Sequence, residues 1–254
     1  MLVIVHGGAG ERRPTKKVLK TLAGSLAQGY EILEHGGTAL DAVVRAITVL
    51  EDSGTCNAGT GGNLQLDGIR RLDASVMEGK ELKTGSVIGV EGVRNPIKLA
   101  RLIMDLPNTM LTNVGAKRIA KANNLDPLPG PDRRALEKLE QIKNRAGGTL
   151  RLFKRYFSTV GAGVYAENAQ GAVSCTGVGE YIVRLSLAKE ICMNLGSMPP
   201  RAASSLSLKR LVRTGGTAGV IVLDNRGRFS IVHSTRFMAA GYADKKGIIV
   251  KEGF

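Results

Sequence analysis

The feature that most constrains this chain is a pair of short apolar segments within residues 157–180, joined by a polar turn. Their composition predicts strands at residues 160–166 and 172–175, with residues 167–171 as the loop of a hairpin. Thr159 opens the first strand, and the second runs out into Thr176 and Gly177. Because glycine has no side chain, backbone N–H groups there can approach a ligand closely.

Thr159 allows two interpretations on this stretch alone. A threonine at the start of a strand can act as a nucleophile if the peptide bond before it is cut, because its new α-amine then serves as the base. Alternatively, Thr159 is a β-branched residue of a buried strand, where threonine is common.

Length and cysteine content place the chain among globular proteins. Its 254 residues can form one large domain or two small ones, and 43% of them are hydrophobic. Cys56, Cys175 and Cys192 form no CxxC or Cys/His cluster, which argues against structural zinc and against a disulfide framework. The apolar run before His6 is short and has no basic flank, so we expect no signal peptide and a cytoplasmic protein.

The formal net charge of +14 has two interpretations. A basic surface can bind nucleic acid or another acidic surface, or it can be the Lys/Arg-rich surface of a heat-adapted protein. The basic residues are spread along the chain, aromatic residues make up only 4% and tryptophan is absent. This composition argues against a nucleic-acid-binding protein.

The first half of the chain predicts two helices and a glycine-rich loop. Helical spacing of apolar residues predicts a helix over residues 15–35. Thr38 then caps a second helix, with Asp41 in the capping-box position. Glu51 and Asp52 oppose the dipole at the end of that helix, so they are either solvated or face a cation or a basic partner. The loop that follows, residues 57–63, is dense in side-chain amides and hydroxyls.

The order of elements in the second half favours an α+β protein. Residues 124–158 combine three prolines with a charged helix at 133–145, which predicts a mobile, protease-accessible connector. A helix is predicted at residues 180–195, another after Pro199, and strands at residues 220–223 and 229–233. Because strands and helices come in blocks, the pattern favours layered packing over βαβ alternation.

Taken together, seven motifs resemble the plant-type L-asparaginase/isoaspartyl peptidase family of N-terminal-nucleophile hydrolases. They occur in the same order as in the family and cover nearly the whole chain. The motifs are His-Gly-Gly-Ala-Gly at residues 6–10, Gly-Thr-Ala-Leu-Asp-Ala-Val at 37–43, Leu-Glu-Asp at 50–52, Asn-Ala-Gly at 57–59, Leu-Asp-Ala-Ser-Val-Met at 72–77, Thr-Val-Gly-Ala at 159–162 and Ser-Cys-Thr-Gly-Val-Gly-Glu at 174–180.

The resemblance implies a fold and a reaction. The family fold is a four-layer αββα sandwich, here one domain over residues 1–254, made as a precursor that cuts itself between Ser158 and Thr159. The subunits would be residues 1–158 and 159–254. Thr159 matches the nucleophile, Thr176 and Gly177 the oxyanion-hole pair, and Asn57 a residue that holds the nucleophile. The reaction implied is hydrolysis of the side-chain amide of asparagine or of β-aspartyl peptides.

The resemblance also implies a substrate contact, a metal loop and a dimer. Gly179 matches a substrate-contacting glycine, and processed protomers are expected to form a homodimer. No cofactor is expected for catalysis. The loop that matches the family's sodium site offers mostly backbone carbonyls and comprises Leu50, Glu51, Ser53, Cys56, Ala58 and Thr60.

One departure from the family concerns the segment after the nucleophile strand. Family members carry there a second strand and a loop with an Arg and an Asp that bind the substrate, and this segment is absent here, so the central sheets would be shortened. Two explanations remain open. Thr159 is the nucleophile and other residues hold the substrate, or residues 158–159 belong to the family's later strand. In the second case the protein is an unprocessed, inactive family member with a binding or structural role.

Overall fold

The computed structural model of this chain describes residues 1–145 and 159–254. The helices in these ranges are α1 (Lys16–Glu34), α2 (Ala39–Asp52), α3 (Pro96–Ile103), α4 (Asn113–Ala122), α5 (Arg133–Arg145), α6 (Gly179–Leu185), α7 (Leu187–Asn194) and α8 (Pro200–Arg213), with a 3₁₀ turn at Gly59–Gly61. The strands are β1 (Val3–Gly10), β2 (Leu72–Met77), β3 (Thr84–Val90), β4 (Met110–Thr112), β5 (Val164–Glu167), β6 (Gly171–Gly177), β7 (Ala218–Asp224), β8 (Phe229–His233), β9 (Phe237–Asp244) and β10 (Gly247–Lys251).

The strands of the described ranges form three sheets. The first has the order β1–β9–β10, the second β2–β3–β4 and the third β5–β6–β7–β8. All neighbouring strands are antiparallel except the β3–β4 pair, which is parallel.

Side-chain alternation along β1 places the first sheet between two different layers. Val3 and Val5 are buried in a core shared with α1 and α2, including Leu22. Ile4 points the other way, into a core that contains Ile231 of the third sheet. Alternation with a period of two residues is what a strand covered on both faces requires.

The third sheet is covered on its other face by α6, α7 and α8. Val173 of β6 and Val220 of β7 are buried in one core with Ile191 of α7 and Leu211 of α8. The order of layers is therefore helices α1 and α2, first sheet, third sheet, helices α6 to α8. This arrangement confirms the predicted α+β class and the four-layer αββα sandwich. The second sheet has its own core with α3 and α4.

The two N-terminal helices confirm the sequence prediction. Thr15 caps α1 by accepting the Val18 N–H. Thr38 accepts the Asp41 N–H at 3.1 Å, and the Asp41 carboxylate accepts the Thr38 N–H at 3.2 Å, so the capping box is complete.

The predicted strand at residues 160–166 is wrong in its first half. β5 begins only at Val164, and residues 159–163 form a turn in which Gly161 has φ +86°. The turn is stabilised from outside the sheet, because the Lys189 and Ala188 N–H groups donate to the Gly161 and Ala162 carbonyls at 2.9 and 3.0 Å.

Two further elements differ from the sequence prediction. The helix predicted at residues 180–195 is divided into α6 and α7 at Ser186, whose φ of +47° is left-handed. Strands β9 and β10 were not predicted, although β9 is the central strand of the first sheet. Within residues 1–145 and 159–254, no helix has the length and apolar character needed to cross a membrane.

Candidate active site

The turn at residues 159–163 holds Thr159 through its main chain and leaves its side chain free. The Thr159 carbonyl accepts the Gly163 N–H at 2.7 Å and the Ala162 N–H at 3.2 Å. The Thr159 hydroxyl is buried, and no group of the described residues forms a hydrogen bond with it. A buried hydroxyl without a partner is costly, so it indicates a position at which a ligand or a reacting group could be satisfied.

The far end of β6 presents Thr176 to the layer between the two sheets. Val173 and Cys175 pack toward the helices α6 to α8, so the alternate residues Ser174 and Thr176 face the first sheet. The hydrogen bond between Ser174 Oγ and His6 Nε2 of β1, 3.0 Å long, confirms this orientation.

His6 is a neutral residue in this inter-sheet layer. Its Nδ1 atom is buried and has no hydrogen-bond partner among the described residues. Burial lowers the pKa of His6 from 6.5 to about 4, because the charged imidazolium would lose its hydration. At neutral pH the His6 ring therefore links β1 to β6 through Ser174 without adding a charge next to Thr176.

Gly177 directs its backbone N–H away from β7. Alternate residues of an antiparallel strand direct their N–H groups to the same neighbour, and the Cys175 N–H donates to Gly163 on the β5 side at 2.7 Å. The Gly177 N–H therefore points to the β5 side, where Gly161 would be the next acceptor. The Gly161 carbonyl instead accepts the Lys189 N–H. Among the described residues, no carbonyl of a turn or loop accepts the Gly177 N–H.

Only glycine fits at position 177. Its φ is +141°, and a Cβ atom there would lie 2.4 Å from the Thr217 carbonyl oxygen. Gly179 follows as the first residue of α6 and is buried. The structure thus places Thr176, Gly177 and Gly179 in one short segment at the end of β6, with the Thr159 turn hydrogen-bonded to the same strand through Gly163.

Asn57 lies in the glycine-rich loop after α2 and has a structural contact of its own. Its Oδ1 accepts the Asn63 N–H at 2.9 Å, which closes the loop. The Asn63 Oδ1 atom in turn accepts a hydrogen bond from the ammonium group of Lys138 on α5, at 2.5 Å. The sequence pointed to Asn57 but carried no signal for Lys138, because contact between residues so far apart depends on how α5 folds back.

The end of α2 contains the buried carboxyl group of Glu51, which is only 2% exposed. Its Oε1 accepts the Ile97 N–H at 3.1 Å, while its Oε2 has no partner in the described chain. Burial raises the pKa of Glu51 to about 8. The neighbouring Asp52 pairs with Arg94 at 2.7 Å, so a basic residue does lie against this helix end.

The loop predicted to bind sodium is folded tightly around Glu51. Its carbonyls at Leu50, Glu51 and Ala58 accept hydrogen bonds from the Ser53 hydroxyl at 2.8 Å, the Thr60 hydroxyl at 2.8 Å and the Gly61 N–H at 3.0 Å. The Glu51 and Ala58 carbonyls each keep a second lone pair, whereas the Leu50 carbonyl also accepts the Ser53 N–H at 3.4 Å. Hard cations take oxygen ligands. The Glu51 and Ala58 carbonyls are therefore the backbone oxygens of this loop that best fit a sodium ion. No cluster of three or more His, Cys, Asp or Glu side chains suited to a metal occurs within residues 1–145 and 159–254.

Comparisons with known proteins all point to the same family. The family model described as asparaginase matches residues 1–151 and 157–251. The isoaspartyl peptidase/L-asparaginase of Bos taurus is 33% identical, over 91% of this chain and 89% of the relative. The plant-type L-asparaginase of Pyrococcus abyssi is 33% identical, over 94% of this chain and 95% of the relative. The human isoaspartyl peptidase/L-asparaginase is 33% identical, over 89% of this chain and 87% of the relative.

The lengths of these alignments show that the relatives contain residues that this chain lacks. The alignment with the Pyrococcus abyssi protein has 293 positions, whereas this chain has 254 residues, a difference of 39. At least 39 positions of that alignment therefore have no counterpart here. The family match is interrupted between residues 151 and 157, directly before Thr159.

The fold, the motif order and the extent of these matches agree. The chain belongs to the asparaginase family that includes plant-type L-asparaginases and isoaspartyl peptidases.

Proposed function

We propose that this protein is an amidohydrolase that cleaves the side-chain amide of L-asparagine, the β-aspartyl peptide bond, or both, with Thr159 as the nucleophile. The observation that carries the proposal is the position of the Thr159 hydroxyl and the Gly177 N–H on two segments that are hydrogen-bonded to each other. Among the described residues, the Thr159 hydroxyl is buried without a partner, and no carbonyl of the turn that it opens accepts the Gly177 N–H. The names of the relatives support the same reaction class.

Cleavage between Ser158 and Thr159 would create the base. An α-amine has an ordinary pKa of about 7.7–8.0, so a useful fraction is neutral near pH 7. This amine removes the proton of the Thr159 hydroxyl, whose oxygen attacks the substrate carbonyl. The amine then returns the proton to the departing nitrogen, and water hydrolyses the acyl-enzyme by the same route.

The end of β6 would stabilise the negative charge on the substrate oxygen. The Gly177 N–H and the Thr176 hydroxyl are the proposed donors, and removal of one such donor typically costs about 2.7–4 kcal/mol of barrier. Asn57 is proposed to hold the nucleophile and Gly179 to contact the substrate. Both assignments rest on the family resemblance.

The remaining parts of the proposal concern assembly. Residues 1–158 and 159–254 would be the two subunits of the processed protein, and processed protomers would form a homodimer. A sodium ion in the loop around Glu51 would be held by backbone carbonyls, would offset their negative charge and so would stabilise the loop. No step of the reaction requires it.

The proposal is tested by hydrolysis assays on the wild type, Thr159→Ala and Thr159→Ser. The assays follow ammonia release from L-asparagine and leucine release from β-aspartyl-leucine. We expect no activity from Thr159→Ala, and retained but slower activity from Thr159→Ser, which keeps both the hydroxyl and the α-amine. Residual hydrolysis by Thr159→Ala above the buffer rate would overturn the assignment of the nucleophile.

A second candidate function is favoured by the fold of the turn and by the shorter chain. Thr159 lies in a turn and not at the start of a strand, and at least 39 positions of the Pyrococcus abyssi alignment have no counterpart. On this alternative the protein is an inactive family member with a binding or structural role. It predicts a wild type that is uncut and inactive on both substrates, while circular dichroism shows it to be folded.

A further inference from the structure

The outer surface of the C-terminal helix layer carries a groove that the proposed hydrolysis does not use. This groove, here called the α7–α8 groove, has a volume of about 390 Å³. Its lining comes from two helices and comprises Glu190, Asn194, Leu206, Lys209, Arg210 and Arg213. On α8 the lining residues are spaced three, four and seven positions from Leu206, so they form one stripe along the helix.

One large apolar side chain is exposed in the lining of this groove, and a second is exposed beside it. Leu206 in the lining is 49% exposed, and Met193, next to the lining residue Asn194, is 52% exposed. Burial of each would be favourable, because apolar surface is transferred out of water. The two residues come from different helices, so a partner that covers both must lie across α7 and α8.

The groove also has an excess of positive charge. Residues 179–214 contain six Lys or Arg residues and two Glu residues. Glu190 is already paired with Arg210 at 2.7 Å. Lys209 and Arg213 form no ion pair with any residue of the described ranges. Within residues 1–145 and 159–254, these two cations therefore have no paired counter-charge.

We propose that the α7–α8 groove binds an acidic amphipathic helix of a partner protein. Apolar side chains of that helix would cover Leu206 and Met193, and its carboxylates would pair with Lys209 and Arg213. Such a helix matches both properties of the groove, since helices bind to grooves through an apolar stripe and charge complementarity speeds and directs binding.

The other occupants fit less well. A second copy of this chain would bring the same excess of positive charge onto the groove, and like charges across an interface repel. Nucleic acid would pair with the cations but would leave the apolar side chains uncovered, and the groove contains no aromatic residue on which bases could stack. The proposal needs neither cleavage at Thr159 nor hydrolysis, so it can hold or fail independently of the proposed reaction.

The test measures fluorescence anisotropy of labelled peptides with the full chain in 0.15 M salt. The probe is a designed 18-residue helix with leucines on one face and glutamates beside them, compared with a peptide in which lysines replace the glutamates. Three variants are compared with the wild type. They are Lys209→Glu/Arg213→Glu, Leu206→Gln, and the control Lys245→Glu/Lys246→Glu on the exposed turn between β9 and β10.

We expect the acidic helix to bind and the lysine peptide not to bind. Lys209→Glu/Arg213→Glu should weaken binding at least about tenfold, and Leu206→Gln by a similar factor, because truncated anchors and reversed charges at a binding site have effects of this size. The control, with the same change in net charge, should weaken it less than about threefold. Three results would each overturn the proposal. The acidic helix does not bind, or the control variant loses as much affinity as the groove variants. The third is that duplex DNA or phosphatidylserine vesicles displace the peptide while Leu206→Gln has no effect on its binding.

Discussion

Replacement of His6 by glutamine tests the inter-sheet layer beside the candidate site. His6 bonds to Ser174 through Nε2, and burial lowers its pKa from 6.5 to about 4. Because the pKa in the folded state lies below that in the unfolded state, protonation favours unfolding. The neutral ring therefore contributes stability that is fully present above about pH 6.5 and is lost as the pH falls toward 4. Glutamine can still donate to Ser174 but does not titrate.

The magnitude follows from the two pKa values. One pKa unit corresponds to about 1.4 kcal/mol, so the wild type should lose about 2.5 kcal/mol of unfolding free energy between pH 7.5 and 4.5 through His6 alone. Carboxylates titrate in both proteins, so their effects cancel in the difference. In a chain of this length the loss corresponds to a fall in Tm of roughly 5–10 °C relative to His6→Gln.

The assay is urea unfolding followed by circular dichroism at several pH values for both proteins. We expect the stability of the wild type relative to His6→Gln to decrease steadily as the pH is lowered from 7 to 4.5. Ser174→Ala serves as the matched control, because it keeps the titrating ring and should retain the pH dependence. A difference between wild type and His6→Gln that stays constant over this range would refute the reasoning that the imidazole is buried and neutral.

Three further predictions concern the β6 end and the loop after α2. Thr176→Val should lower kcat by about 10²–10³ with an unchanged Tm, because it removes one proposed oxyanion donor and keeps the shape of the side chain. Steady-state kinetics and thermal unfolding check this prediction, with Ser197→Ala as the control. Gly177→Ala should lower both kcat and Tm, because the new Cβ would lie 2.4 Å from the Thr217 carbonyl oxygen. Normal kinetics would contradict the claim that the backbone geometry at Gly177 positions an oxyanion donor. Replacement of sodium by choline should lower the Tm of the wild type. The same exchange should leave Gly59→Ala unchanged, since a Cβ there would lie 2.4 Å from the Glu51 carbonyl oxygen and would disrupt the loop; an equal response of both proteins would argue against a sodium site in this loop.

The parts of the fold that sequence predicted well are those set by local chemistry. The capping box at Thr38 depends on residues three positions apart, and the helical spacing in α1 determines one face of one element. The layered α+β arrangement followed from the block order of strands and helices. The family motifs added the four-layer architecture.

The parts that sequence could not predict depend on distant contacts. The turn at residues 159–163 replaces strand because α7 supplies the Ala188 and Lys189 N–H groups, which no local pattern reveals. The pairing of His6 with Ser174 joins β1 to β6 across two sheets. Ser186 ends α6 in a left-handed conformation that serine rarely adopts. In the candidate site, residue types were therefore predictable, while the unpaired Thr159 hydroxyl and the direction of the Gly177 N–H became visible only in the structure.

The central claim is that Thr159 becomes an N-terminal nucleophile, and the most direct test is the intact mass of the purified chain under denaturing conditions after prolonged incubation. The account predicts two fragments that meet between Ser158 and Thr159 in the wild type, and a single chain for Thr159→Ala. A wild type that remains one uncut chain of full mass would contradict the account and would favour the inactive family member.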